Sequence, residues 1–156
     1  MKIFLRDVID SDLPIFFEHL NDPATFHMVA FIPPERKDWE RFRAHWNKIR
    51  SDDSVITQSI IYGDEIAGHM LFFEREGRME VGYLIGRGHW GKGIGTRSLE
   101  LFLEQIPDRP LYAHTAKENK GSIRILEKCG FYRMEELRSY AAGRDREIDG
   151  LSFKLE

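Results

Sequence analysis

A single cysteine, no long apolar run and no surplus of positive charge are the scarcities of this 156-residue chain, and each excludes something. Cys129 has no partner for an intramolecular disulfide. It stands between Lys128 and Gly130, just ahead of Phe131, with no histidine nearby in sequence to activate a thiol, so it reads as a small packing residue. One cysteine also suits a reducing cytoplasm. No stretch approaches the ~20 apolar residues of a membrane span. The opening Met1-Lys2-Ile3-Phe4-Leu5-Arg6-Asp7 reaches an acid too soon for a secretory signal. Lysine and arginine number 23 against 26 acids, a net charge of −3, so the basic footprint of a nucleic-acid binder is missing. His19, His27, His45, His69, His89 and His114 show no metal-ligand spacing with one another or with Cys129. A serine-hydrolase elbow, Gly-x-Ser-x-Gly, is also lacking. The expectation is one cytoplasmic domain over residues 1–156, with no metal, nucleic-acid or membrane partner.

What is present is a change of hydrophobic period along the chain. Residues 2–6 read as a strand. Asp10-Ser11-Asp12 offers N-caps to an apolar segment over 13–20, and Asp22-Pro23 opens a second short helix. Trp39, Phe42, Trp46 and Ile49 recur at spacings of three and four, which predicts an amphipathic helix over 35–49. Residues 55–62, 65–73 and 79–85 are β-rich and separated by Gly63-Asp64 and Glu76-Gly77, the pattern of an antiparallel meander. Leu99, Phe102, Leu103 and Ile106 mark one face of a further helix. A strand at 111–115, a helix from Asn119 to Lys128 with Gly130 at its C-terminal stop, and two strands at 132–141 and 146–155 complete the chain. This is an α+β pattern built on one mostly antiparallel sheet.

Between the fourth strand and its following helix lies Gly86-Arg87-Gly88-His89-Trp90-Gly91-Lys92-Gly93-Ile94-Gly95-Thr96. Glycines tolerate positive φ and leave room for a ligand, and the unpaired N–H groups of a helix start attract an anion. A phosphate-binding turn is the direct reading. As a Walker A loop it fails, because Gly93 stands where a magnesium-binding Ser or Thr is needed. Gly86-x-Gly88-x-x-Gly91 matches the dinucleotide fingerprint in letters, but it follows the fourth strand and lacks the βαβ repeats.

Gly91-Lys92-Gly93-Ile94-Gly95-Thr96 resembles motif A of the GNAT (Gcn5-related) acetyltransferases, Gln/Arg-x-x-Gly-x-Gly/Ala, with Trp90 in the Gln/Arg place. That departure resembles the ribosomal-protein N-acetyltransferase (RimJ/RimL-like) branch, whose loops often read Trp-Gly-Lys-Gly. Residues 119–131 resemble motif B, Asn-x-x-Ser-x-x-x-Leu-Glu-Lys-x-Gly-Phe, and Glu80-Val81-Gly82-Tyr83-Leu84-Ile85 resembles the branch's Glu-x-Gly-Tyr-x-Ile. The resemblance implies a GNAT fold: a mixed sheet of about seven strands flanked by helices and splayed between strands 4 and 5. It also implies acetyl-CoA as acetyl donor. Tyr83 and Ile85, with Leu84 between them, would give backbone contacts to the pantetheine arm; Gly91, Lys92, Gly93, Ile94, Gly95 and Thr96, next to Trp90, would cradle the pyrophosphate; and Asn119 would bond the cofactor through its side-chain amide, with Ser122 also in the cofactor site.

The implied reaction is direct attack by a primary amine of a small molecule or a peptide: a protein N-terminus, a small amine or an amino sugar. Three residues are candidates for the proton transfers: Glu80 as base through water, Ser122 as acid to the departing thiolate, and Glu135 as a further carboxylate. Many family members place a tyrosine acid seven residues after the motif B asparagine, and Leu126 stands there instead. A catalytically weak acyl-CoA-binding or sensor module is therefore the alternative. A nucleotide-binding oxidoreductase is a more distant one. Family members are often dimers, which makes a homodimer an option, and His27, Met28, Phe31, Trp39 and Trp46 of the first third could line an acceptor cleft, although aromatics at the helical spacing of Trp39 and Trp46 more often belong to a core.

Overall fold

Residues 2–156 are described by a computed structural model. The chain runs β1 (Ile3–Asp7), α1 (Leu13–Asn21), α2 (Pro23–Val29) and α3 (Trp39–Arg50), then β2 (Ile56–Tyr62), β3 (Glu65–Arg75) and β4 (Arg78–Ile85). It continues with α4 (Ile94–Gln105), β5 (Leu111–Ala116), α5 (Lys120–Lys128), β6 (Tyr132–Ala141) and β7 (Arg146–Leu155). The strands form one sheet in the order β1-β2-β3-β4-β5-β7-β6. Every neighbouring pair is antiparallel except β4 and β5, which are parallel and paired only at Glu80 with Tyr112. A helical crossover, α4, joins these two, as parallel neighbours require.

Strand alternation divides the core between two layers. On one face Val81, Ala113 and Phe153 pack under Leu99 and Phe102 of α4 and Ile123 and Leu126 of α5. On the other, Leu84 meets Phe16, Phe42 and Trp46 from α1 and α3. Phe16 and Trp46 are 1% and 3% exposed, and both rings meet His69 of β3 at 4.8 Å between centroids, Phe16 tilted and Trp46 edge-on. Burying side chains of this size contributes roughly 1.5–3 kcal/mol each. The helical spacing of Trp39 and Trp46 thus belongs to packing: Trp46 is core, and Trp39 lies against Phe17 and Phe42.

Two expectations are corrected. The helix read over 35–49 is two pieces, a 3-10 turn over Pro34–Lys37 and then α3, because Asp38 is extended and its carboxylate accepts from the Arg41 N–H at 3.1 Å. Asp12 makes no cap to α1. Its carboxylate is buried and accepts from Arg6 at 2.7 and 2.9 Å, from the Ser59 hydroxyl at 2.6 Å and from the Ile9 N–H at 3.0 Å. Burial alone would raise its pKa; these four donors outweigh that and hold it below the usual carboxylate value.

Candidate functional site

Beyond the Glu80–Tyr112 pair, β4 has no strand partner on its β5 side among the described residues. A cavity of about 530 Å³ opens there, between the end of β4, the glycine loop, the start of α5 and the Thr25–Val29 part of α2. Of the residues expected to hold a cofactor, all but Lys92 line it, and the Lys92 ammonium lies instead over the Tyr62 ring at 5.9 Å.

The loop owes its shape to particular glycines. Gly91 and Gly93 both have φ +75°, a left-handed conformation that costs an L residue about 1–2 kcal/mol. Space is not the constraint there, since a Cβ at either would meet nothing within 4 Å. Gly95 serves packing: a Cβ on it would lie 2.4 Å from Ile125 Cδ1, so its absence lets α4 sit close on α5. Gly93 ends the loop as the left-handed N-cap of α4 without a capping side chain, so the first-turn N–H groups lack intrahelical partners, and Ile94, Gly95 and Thr96, which carry them, line the cavity. Trp90 closes the loop onto β4 by donating its indole N–H to the Ile85 carbonyl at 2.8 Å. One lone pair of the carbonyl expected to contact pantetheine is therefore already engaged.

On the α5 side of the opening, the Tyr83 hydroxyl lies 2.9 Å from Ser122 Oγ and 3.1 Å from the Ser122 carbonyl. Burial pushes the Tyr83 pKa well above its ordinary value, more than the Ser122 bond lowers it. Asn119 Oδ1 caps α5 by accepting from the Ser122 N–H at 3.2 Å, and its Nδ2 donates to the Met28 carbonyl at 3.4 Å. The side-chain amide expected to meet the cofactor is thus turned to the cap and to α2. The turn between β6 and β7 reinforces that junction: the Gly143 N–H donates to the Ala30 carbonyl at 2.8 Å, and Arg144 donates to the His27 carbonyl and pairs with Glu118.

The opposite face of the sheet carries the carboxylates. Glu80 is 3% exposed, and Arg75 donates to it in a fork, Nε to Oε2 at 2.8 Å and Nη2 to Oε1 at 2.9 Å. His114 Nδ1 lies 3.0 Å from Oε1. Burial alone would raise the pKa of Glu80, yet the His114 and Arg75 contacts outweigh it and keep the carboxyl below its usual value. Glu80 is therefore a fixed anion with both oxygens engaged, a poor proton acceptor. Glu135 stays apart from the opening. It is exposed on the outermost strand, paired in register with Ser152, which in turn pairs with His114. Two strand spacings, roughly 10 Å, separate it from β5.

Two features were missed in the sequence. His114 gives no local signal, because its partner is 34 residues away. Lys120, Arg124 and Lys128 do: a spacing of four places them on one side of α5, and all three line the cavity.

The sequence profile of the acetyltransferase (GNAT) domain matches residues 2–132. An uncharacterized N-acetyltransferase, p20, from Bacillus licheniformis is 30% identical over 164 aligned residues, covering 99% of this chain and 92% of its own. Among solved structures, the spermidine N-acetyltransferase of Vibrio cholerae in complex with CoA and spermine superimposes with a TM-score of 0.83 at 20% identity, over 98% of this chain and 94% of that one. A ribosomal-protein-alanine N-acetyltransferase from Brucella melitensis gives 0.80 at 23% identity, over 97% and 98%. The structural likenesses are of fold, and the domain profile with the p20 relative adds descent: the chain belongs to the GNAT family of acetyltransferases.

Proposed function

We propose that the protein moves an acetyl group from acetyl-CoA to a primary amine by direct attack within a ternary complex. The observation that supports this best is the convergence, in one cavity, of three things a CoA thioester needs. These are the unpaired N–H groups of the Gly91–Thr96 turn, the cations of Lys120, Arg124 and Lys128, and the unpartnered edge of β4 beside Tyr83 and Ser122. When bound, acetyl-CoA supplies an acetyl group activated as a thioester. The chain's part is to hold it and to manage protons. The turn and the α5 cations hold the phosphates, and the free side of β4 receives the pantetheine amides as an added strand would.

Ser122 is the proton donor to the departing sulfur. Leu126, in the place of the usual tyrosine, is buried in the core and has nothing to donate. With the Tyr83 hydroxyl proton on the Ser122 carbonyl, the Ser122 hydroxyl donates to Tyr83 Oη, and rotation of that hydroxyl into the cavity delivers its proton to the sulfur. Alignment of amine and thioester in this confined space removes much of the entropic barrier.

An amine acceptor agrees with the Vibrio structure, which holds spermine, and with the alanine N-acetyltransferase named for the Brucella structure. The absence of a motif B tyrosine favours one second reading, a module that binds acyl-CoA and turns over slowly. Calorimetric titration with acetyl-CoA, followed by thiol release against a panel of amines, separates the two. No heat of binding up to about 1 mM, the top of the usual KM range, refutes both. Binding with no release from any amine leaves only the binding module.

A further inference from the structure

The opening has two sides, and the acetyl-transfer reading above uses only one. We propose that His114 is a catalytic residue of that reaction, taking the proton of the acceptor amine at Nε2, with Glu80 as the positioning residue that fixes the ring. This rests on the acetyl-transfer reading and adds its missing base.

Placement comes first. Ala113 points into the α4/α5 layer, so His114 points to the reverse face. It stands two residues beyond Tyr112, the last β5 residue paired with β4, and is thus the first reverse-face side chain of β5 where the strands part. Tyr83 and Ser122 occupy the other face at the neighbouring level. A thioester reaching the gap from the cavity would meet an amine arriving from the side of His114.

Chemistry follows from the hydrogen bonds. Nδ1 has two neighbours at 3.0 Å, Glu80 Oε1 and Arg75 Nη2. A guanidinium only donates and a carboxylate only accepts. If Nδ1 carries the proton it donates to Glu80, and Nε2 is left with a lone pair. If Nδ1 accepts from Arg75, Nε2 is protonated and cannot be a base. Arg75 already places Nη2 on Oε1 at 2.9 Å and Nε on Oε2 at 2.8 Å, a fork that spends its well-directed donors on the carboxylate. That favours Nδ1–H donating to Glu80. The buried carboxylate then stabilises the imidazolium that proton uptake creates, and Arg75 stops Glu80 from swinging away. Nε2 has no hydrogen-bond partner among the described residues, and the His114 side chain is 36% exposed.

The other groups facing the ring are Ser152, its register partner on β7, and Glu135 beyond it on β6. Tyr112 lies along β5, with Arg78 and Lys154 over its ring at 4.6 and 5.9 Å. In the step, the amine nitrogen bonds to the acetyl carbon and its proton passes to Nε2. The carbon–sulfur bond breaks, and the sulfur takes the Ser122 hydroxyl proton. Solvent then restores the serine and receives the proton from His114.

The test uses the full chain labelled with ¹⁵N-histidine and bound to CoA. Long-range ¹H–¹⁵N correlation is expected to show neutral His114 protonated at Nδ1 and bare at Nε2. Glu80→Gln should keep that tautomer and lower kcat about tenfold with acetyl-CoA affinity unchanged, because the imidazolium loses its buried counter-charge. With an alanyl peptide amide as acceptor, His114→Gln should lower kcat about 100-fold, with acetyl-CoA affinity within twofold of the parent. Its pH profile should lose the limb that Glu80→Gln retains. A proton on Nε2 in the parent overturns the proposal, as does a His114→Gln enzyme within threefold of the parent with an unaltered pH profile. Where the peptide is not turned over, or His114→Gln does not fold, the tautomer and its response to Glu80→Gln decide. Failure of the parent to bind acetyl-CoA instead overturns the acetyl-transfer reading, and the base falls with it.

Discussion

Adding one methyl group at Gly68 should cost more than its size suggests. Gly68 lies mid-strand on β3, paired with Ile60 on one side and Ile85 on the other. A Cβ built there falls 2.1 Å from the Leu84 carbonyl oxygen and 3.1 Å from Ile85 Cα, whereas real Cβ atoms essentially never come within 3.0 Å of another atom. The obstacle is backbone, so no rotamer change relieves it; β3 and β4 must part by about 0.9 Å. Overpacking of a tight interior costs about 1–3 kcal/mol, and a backbone obstacle belongs in the upper half of that range. Alanine recovers roughly 0.5–1 kcal/mol by restricting the unfolded chain. The net for Gly68→Ala is a loss of about 2 kcal/mol, or roughly 4–8 °C in Tm for a domain of this size. Because Leu84 and Ile85 line the cavity, acetyl-CoA affinity should fall several-fold as well. Gly82→Ala is the control: its Cβ meets only Phe73 Cε1 at 3.6 Å, ordinary contact, so Tm should hold or rise by up to about 3 °C. Melting followed by circular dichroism, with calorimetric titration of acetyl-CoA, reads both. A Gly68→Ala melt within about 1 °C of the parent, or an equal drop in Gly82→Ala, refutes the steric argument.

Asp12→Asn should destabilise by about 3 kcal/mol, read as a lower urea midpoint at unchanged slope, because Arg6 and Ser59 lose a buried anion. Stability should also fall in mild acid. Burial pushes His69 down to about 3 and His45 to about 4, so the unfolded chain binds more protons than the folded one below the ordinary histidine value of 6.5. Stability is therefore intact above pH 6.5 and declines as pH falls from there toward 4. His69→Phe should flatten that decline in urea titrations between pH 7 and 4.5, a window that ends above the depressed pKa of Asp12. Ser122→Ala should lower kcat by about 100-fold, and Tyr83→Phe by about tenfold, with acetyl-CoA affinity unchanged in both by calorimetry. Equal losses in kcat and affinity would mean that the pair only shapes the cavity.

Much of the fold was legible because its signals are local. The meander shows in turn residues and alternating runs, and α5 shows in Asn119, Gly130 and the apolar residues between them. The helix over 35–49 misled for a local reason too: Trp39, Phe42 and Trp46 share one face, but Asp38 holds an extended backbone and starts α3 by capping it. Asp12 misled for a distant one. Its spacing suited a cap, and Arg6 and Ser59 claimed the carboxylate across the sheet.

The site divides along the same line. The glycine turn from Gly91 to Gly95 and the Asn119-to-Phe131 segment were determined by the sequence alone, because positive φ, an uncapped helix start and a capped helix are properties of consecutive residues. Only the tertiary structure decided which side chains meet across the gap in the sheet. Tyr83 reaches Ser122 across 39 residues of sequence, and Glu80 reaches His114 across 34, while Glu135 is carried to the far edge by the order β5-β7-β6. Proton-handling pairs are made by strand order and register, which depend on every element at once, so no window of sequence contains them.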